Sequence, residues 1–342
     1  RLNRVESLVN MAATAFGSVP LQTAYYDSRA MHAMVQQVAD RFRPDLVYAH
    51  LIRMAPYATE VGGVPRILAM QISQTLNYSR MVSHVRSPFY RLLYGAELRK
   101  VRRYEPAIMR EFDSCLLISK HDLQAIEGPP DPAKVFFSPH GVDAEYYRRE
   151  ESIARDPATL LFCGVLETPT NSDAVGYFVQ QIYPHIRRKA PAARFLIVGR
   201  NPPAEIRSLS DSDASIQVVG SVPDVRPFYN QAAVGVAPIR IGAGMQNKLL
   251  VGMSMQQAMV VTSVANEGIG ATPGEHLLVA DSPEDFASAV VSLVTDPARA
   301  AAIGRKGREF VDQGWSWEYW FDQLERHMLG VVKQRGFGGS AS

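Results

Sequence analysis

The residues of this chain best placed to do chemistry lie in the run Pro238-Ile239-Arg240-Ile241-Gly242-Ala243-Gly244-Met245-Gln246-Asn247-Lys248. The run leaves an apolar strand, passes two glycines and enters a helix with a lysine in its first turn. Backbone N–H groups at a helix N-terminus carry partial positive charge, so together with Lys248 and Arg240 they make a cradle for a diphosphate. The spacing is not that of a Walker A loop, which needs a longer glycine interval followed by Lys-Ser/Thr. A Gly-rich strand-to-helix turn that binds nothing has the same local pattern.

Other strand ends nearby add candidates. Gly164-Val165-Leu166-Glu167-Thr168-Pro169-Thr170-Asn171 opens with a glycine that lets a ligand come close to the backbone. Gly199-Arg200-Asn201-Pro202-Pro203 offers a cation and an amide, and Gly220-Ser221-Val222-Pro223-Asp224 follows a third strand. Asn266-Glu267-Gly268-Ile269 sets a carboxylate near the same rim. Strand ends need turn residues in any case, so each of these also reads as a plain turn. His50, after the strand 45–49, could hydrogen-bond a sugar or serve only its turn, and His140 reads as a hinge-turn residue. No His/Asp/Glu spacing suggests a metal site, and no Gly-x-Ser-x-Gly elbow supports a serine hydrolase.

These candidates need a scaffold, and the apolar pattern supplies one. Short apolar runs at 159–164, 194–199, 216–220, 233–238, 259–263 and 277–280 alternate with helical segments, such as the one marked by Val175, Phe178, Val179, Ile182 and Ile186. The first half repeats the texture with strands at 45–49, 66–70, 115–119 and 135–139 and a long helical stretch over 88–112. Strands alternating with helices imply parallel sheets covered on both faces, with ligands outside the carboxyl ends of the strands. No apolar strand with a Gly-rich turn precedes Asp45, so the first domain is expected to be shortened. The polar connector 148–157 divides the chain, giving an N-terminal domain over 1–152 and a C-terminal domain over 153–314. A terminal segment, 315–342, begins with Trp315-Ser316-Trp317 and ends in a Gly/Ser-rich tail from Gly336 that is expected to be unstructured.

Composition narrows the class. The chain has 342 residues, enough for two domains, and 46% of them are hydrophobic. Lys+Arg number 36 against 34 Asp+Glu, without the basic excess of a general nucleic-acid binder. Cys115 and Cys163, the only two cysteines, lie in apolar runs and read as core residues rather than a disulfide or zinc site. No apolar stretch is long enough to span a bilayer, and Arg1-Leu2-Asn3-Arg4-Val5-Glu6 lacks the apolar region of a signal peptide, so a cytoplasmic protein is expected. Between Arg80 and Arg110 lie Arg86, Arg91, Arg99, Lys100, Arg102 and Arg103, opposed by Glu97 and Glu105 and interleaved with Phe89, Tyr90, Leu92, Leu93 and Tyr94. That stretch reads either as a dock on anionic lipid or as a solvated helix face.

Seven segments taken in order resemble family 4 glycosyltransferases, in particular the sugar transferases associated with bacterial exopolysaccharide and exosortase loci. They are 71–81 (QISQTLNYSRM), 104–119 (YEPAIMREFDSCLLIS), 136–143 (FFSPHGVD), 195–203 (FLIVGRNPP), 219–229 (VGSVPDVRPFY), 237–250 (APIRIGAGMQNKLL) and 260–269 (VVTSVANEGI). The resemblance runs from about Tyr25 to Trp320. It implies a GT-B fold, two Rossmann-like domains facing a cleft, with the terminal helix returning to the N-terminal domain. It also implies a nucleotide-diphosphate sugar as donor substrate with no further cofactor and no metal, and transfer with retention of configuration.

Carried over residue by residue, the resemblance puts Lys248 and Arg240 at the donor diphosphate and Gly164 beside the phosphates. Val222 and Asp224 fall beside the base, and Glu267 and Gly268 on the sugar side. From the strand ends themselves, Asn171, Arg200, Asn201, Gly244 and Asn247 complete the candidate donor-side set, with His50 a candidate sugar contact or a turn residue. Where the family carries a ribose-binding glutamate this chain has Val251, and the family's following glycine falls at Gln256 or Gln257. The first glutamate of the family's pair falls at Ala243. The function expected is a metal-independent retaining hexosyltransferase acting on a glycan or lipid-linked acceptor in envelope or exopolysaccharide synthesis. The alternatives are a non-catalytic donor-binding or scaffold subunit and, with less support from the residues, a nucleotide-sugar epimerase.

Overall fold

A computed structural model describes residues 4–14, 17–85, 87–129 and 131–338, with side chains as far as 334. The opening Arg1-Leu2-Asn3, Arg86 of the basic stretch, Pro130 and the tail beyond Gly338 lie outside the described residues. The chain divides into two units, one of Arg1–Pro139, Gly242–Gly244 and Phe321–Ser342, the other of His140–Ile241 and Met245–Trp320.

In the first unit three helices, Arg4–Thr14, Leu21–Tyr26 and Arg29–Phe42, precede four parallel strands. These are β1 (Val47–His50), β2 (Arg66–Gln71), β3 (Ser114–Leu117) and β4 (Val135–Phe137), paired in that order. Ile67, Leu68, Ala69 and Met70 are all fully buried, as a parallel strand covered on both faces requires. Leu68 and Met70 face Met109, Phe112, Cys115 and Leu117, whereas Ile67 and Ala69 point the other way with Leu116. That second face is covered by the final helix, Trp317–Gly338, through Leu324, Met328 and Val331 at i, i+4 and i+7. His327 of the same helix stacks on Phe136 with ring centroids 4.2 Å apart and shares a 2.7 Å hydrogen bond with Ser114 Oγ. Burial lowers its pKa below the usual histidine value.

Two helices, Gln74–His84 and Pro88–Arg110, form a hairpin after β2. Glu97, Val101, Glu105 and Met109, spaced four apart, make the buried stripe of the longer one. Glu105 is fully buried and accepts from Gln74 N at 2.5 Å, Thr75 N at 3.0 Å and Ser73 Oγ at 3.1 Å. It thus satisfies the free N–H groups that open the Gln74–His84 helix, as a carboxylate at a helix start should. Asp122, also fully buried, accepts from Ser73 N at 2.8 Å and fixes the same loop from a different segment.

The second unit holds six parallel strands: β5 (Asp156–Cys163), β6 (Arg194–Val198), β7 (Ile216–Gly220), β8 (Ala232–Ala237), β9 (Ala258–Val261) and β10 (Leu278–Val279). Their spatial order is β10-β9-β8-β5-β6-β7. The chain builds outward from β5 to β7, then crosses back to lay β8 on the other side of β5. This reversal is the topological switch point of a doubly wound sheet, and it opens at the carboxyl ends of β5 and β8.

Every apolar run read as a strand forms one, with boundaries shifted by at most three residues. The helical segment after β5 is not a single α-helix. It runs as Pro169–Tyr177, then a π turn at Phe178–Ile182, then Tyr183–Lys189. Pro184 explains the break, because it lacks the N–H for the preceding turn and its ring crowds the carbonyl four residues back.

Candidate functional site

The second unit's switch point collects two helix starts. The Pro169–Tyr177 helix begins after β5 and the Asn247–Ser254 helix after β8, so their free N–H groups lie at the carboxyl end of the sheet. Lys248 joins them. Its Nζ donates to Asn171 Oδ1 at 2.7 Å and to Gln246 Oε1 at 2.9 Å, and lies 5.3 Å from the centre of the Phe162 ring. Both oxygen partners are neutral, so no carboxylate among these contacts offsets the ammonium charge. Desolvation lowers the Lys248 pKa to about 8, with Cys163 acting weakly the other way. A half-buried cation held by neutral amides between two helix starts is an anion site with a charge already in place.

The backbone around it leaves no room for larger residues. A Cβ at Gly199 would stand 1.7 Å from Gly164 O, so the ends of β5 and β6 touch through bare backbone. A Cβ at Gly164 would meet Asn171 Nδ2 at 2.9 Å, and Asn171 in turn donates from Nδ2 to Val165 O at 2.9 Å. The β5 turn therefore orients the amide that holds Lys248.

Arg240 is placed differently. Its Nε and Nη2 donate to the two oxygens of Asp173 at 3.1 and 2.6 Å, and its guanidinium lies 4.1 Å from the centre of the Tyr177 ring. The guanidinium thus braces the end of β8 against the Pro169–Tyr177 helix. Sequence reasoning missed Asp173 and Tyr177, although they lie four residues apart on the helix that also carries Asn171. It missed Gln246 and Phe162 as well, because nothing in their spacing marks them as partners of a lysine.

The remaining candidates spread along the rim. Asn247 lies beside Lys248, with its Nδ2 3.2 Å from His140 Nδ1. Asn201 adopts a left-handed backbone (φ 52°) and donates to Glu167 Oε2 at 3.0 Å, tying the turns after β5 and β6. The Arg200 side chain is exposed, while its carbonyl accepts from Leu166 N at 2.9 Å. Asp224 is bound to Arg226, with a shortest contact of 2.8 Å, and that hydrogen-bonded partner holds its carboxyl below the usual range. Glu267 and Gly268 are half-buried in the turn after β9. His50 closes β1, and Gly244 groups with Gly242 and Ala243, so both belong to the first unit and not to the Lys248 cluster.

Val251 lies one turn after Lys248 on the same helix. With Val222, Cys163 and Tyr147 it packs on an apolar cluster that includes Tyr229 and Met255. The end of this helix also settles which residue takes the left-handed position. Gln256 has φ 53° and donates to Met253 O at 2.9 Å, while Gln257 N donates to Gly252 O at 2.8 Å. These are the two bonds of a Schellman motif, whose left-handed position usually carries glycine. Gln256 therefore holds a backbone position that favours glycine.

Comparisons with known proteins agree with this architecture. Residues 157–296, which hold all six strands of the second unit but for Asp156, match the family model described as Glycosyl transferases group 1. An uncharacterized 44.6 kDa protein in the cps region of Klebsiella pneumoniae is 21% identical over 258 residues, which are 73% of this chain and 65% of that one. The chain thus spans just under two thirds of that relative. Among solved structures it is similar to TarM (TM-score 0.69, 11% identity, 88% of this chain and 58% of that one). Anabaena HepE in complex with UDP gives a TM-score of 0.67 at 11% identity, covering 88% of this chain and 82% of that one. A sucrose-phosphate synthase from Thermosynechococcus elongatus gives 0.69 at 16% identity, covering 92% and 82%. The fold is GT-B, built from two Rossmann-like α/β units, and its second unit carries the group 1 glycosyl transferase match with Lys248 at the switch point.

Proposed function

We propose that this protein is a glycosyltransferase that takes a sugar from a nucleoside-diphosphate donor. One observation carries the reading: a half-buried lysine with only neutral partners sits between two helix starts, at the switch point of the unit that matches group 1 glycosyl transferases. Lys248 and the N–H groups around it neutralise the diphosphate, and so stabilise the leaving group where charge develops. Arg240, locked to Asp173, keeps that cradle in shape. Val222 and Asp224 flank the base, Val251 lies toward the ribose, and Glu267 and Gly268 flank the sugar.

In the finer reading the transfer is retaining and metal-independent and moves a hexose. The bond from the anomeric carbon to the diphosphate oxygen breaks, and the bond from that carbon to the acceptor oxygen forms on the same face. The hydroxyl proton passes to the departing phosphate oxygen. The acceptor is a glycan or lipid-linked sugar handled in the cytoplasm for envelope or exopolysaccharide synthesis, a role supported by the relative from a cps region.

Val251 favours a second reading, a donor-binding subunit without turnover, because a charged acceptor to a ribose hydroxyl is worth about 1.5–3 kcal/mol and valine cannot supply it. Proton NMR of the protein with a panel of nucleotide sugars separates the two. Transfer to water consumes the donor and releases first the sugar anomer of the donor's own configuration. Release of the opposite anomer rejects retention. Binding without consumption, also in Val251→Glu, selects the second reading.

A further inference from the structure

The first unit carries a surface that the transfer reading does not use. The Pro88–Arg110 helix exposes Phe89, Tyr90, Leu92 and Leu93, with Phe89 70% and Leu92 71% accessible. Four large apolar residues within five positions form a patch, unlike the scattered single residues of an ordinary solvated surface. The patch is braced: Tyr90 lies 5.5 Å from Phe89 and 6.0 Å from Tyr94 between ring centroids, and Tyr94 lies 6.1 Å from Tyr78 of the preceding helix.

Beyond the patch the helix turns basic along the line of Leu92. Leu92, Arg99, Arg103 and Arg110 are spaced by seven, four and seven residues, which at 100° per residue keeps them within about 40° of one another. All four are exposed. The two carboxylates that balance this stretch in the sequence do not balance it on the surface. Glu97 and Glu105 are 4% and 0% accessible, with Glu97 paired to Lys100 at 3.2 Å and Glu105 to the loop before the hairpin. Exposed acids beside it include Glu111 just past the helix end and Glu127, which lies 3.7 Å from Arg102.

We infer that this helix docks on an anionic lipid surface, its apolar start entering the headgroup boundary and its arginines pairing with lipid phosphates. The combination of exposed aromatic and leucine side chains with a one-sided arginine row is the chemistry of an interfacial helix. The described residues contain no single helix long and apolar enough to cross a membrane. Docking does not depend on the transfer reading, because it needs neither donor nor acceptor.

The test is cosedimentation of the whole protein with vesicles of phosphatidylcholine alone and of phosphatidylcholine with phosphatidylglycerol. The protein is expected to partition onto the anionic vesicles and to release partly at high salt. Arg99→Gln with Arg103→Gln lowers that partition about thirtyfold, roughly fivefold for each charge. Phe89→Ser with Leu92→Ser lowers it at least about tenfold and leaves the remainder fully salt-sensitive. Circular dichroism and urea midpoints confirm that the exposed substitutions leave the fold intact. Equal partition onto both vesicle types overturns the inference. So does partition onto anionic vesicles that neither double variant changes. Equal capture of wild type and Phe89→Ser/Leu92→Ser by heparin and by anionic vesicles assigns the surface to a soluble polyanion instead.

Discussion

Replacing Lys248 with methionine separates the stability of the site from its use. The structure makes the two effects differ. Lys248 has its pKa pulled down to about 8 by desolvation, so the fold works against its charge. The sign follows: a lysine whose folded pKa lies below its unfolded value binds fewer protons when folded. This group therefore makes the fold more stable as pH rises from about 8 toward the ordinary lysine range. At about pH 7 the unliganded wild type carries the full penalty, and Lys248→Met removes it while keeping the length of the side chain. The lost hydrogen bonds leave Asn171 Oδ1 and Gln246 Oε1 to water at a half-buried position, which costs about 1 kcal/mol each at most. The melting temperature of the variant without ligand is expected to be unchanged or higher.

Binding moves the other way. A charge-assisted hydrogen bond to a phosphate oxygen is worth about 1.5–3 kcal/mol, so affinity for the nucleoside diphosphate falls by about ten- to a hundredfold or slightly more. Wild-type affinity is also pH-dependent. The ligand's phosphate has already lost its last proton above about pH 6, so as pH rises Lys248 titrates before the ring N–H of a uracil or guanine base does. Affinity should hold up to about pH 8 and then decline by up to tenfold per pH unit, with proton uptake on binding above that point. Calorimetry in two buffers of different ionisation enthalpy reads both. A flat affinity from about pH 7 to 9.5, or a Lys248→Met variant that binds as the wild type does, would refute the assignment.

Other perturbations test the scaffold. Gln256→Gly should stabilise the protein by about 0.5–1 kcal/mol in urea unfolding, because the left-handed position costs a side chain about 1–2 kcal/mol and glycine returns part of that as chain entropy. Glu105→Ala takes the acceptor from Gln74 N–H, Thr75 N–H and the Ser73 hydroxyl, and should cost about 3 kcal/mol by the same measurement, with Glu105→Gln costing less. His327 has its pKa lowered by burial, so the unfolded chain binds the extra proton first as pH falls. Stability should drop from about pH 6.5 downward as the imidazole charges against Phe136, and His327→Gln should flatten that part of the melting-temperature profile.

The sheets were legible in the sequence because parallel strands buried on both faces read as unbroken apolar runs. Leu160-Leu161-Phe162 and Phe195-Leu196-Ile197-Val198 could hardly be anything else. The start of the Asn247–Ser254 helix was legible from its glycines and lysine. What the lysine touches was not, since Asn171 lies 77 positions away and only the crossover from β7 to β8 brings it near. Arg240 shows the same limit: its charge was visible, but not the carboxylate that claims it 67 positions earlier. The burial of the two acids in the basic stretch was legible in the sequence as well. Glu97, Val101, Glu105 and Met109 fall on one helical stripe, and a stripe holding valine and methionine is the buried one.

The most direct test of the central claim is a calorimetric titration of the wild-type protein at about pH 7 with UDP, GDP, ADP and their sugar conjugates. At a hundredfold excess over its dissociation constant a ligand also stabilises the fold by about 2.7 kcal/mol, so a melting scan gives an independent check. The account predicts saturable binding selective for one base, weakened at least tenfold by Lys248→Met. A folded protein that binds none of them would contradict a donor site at Lys248.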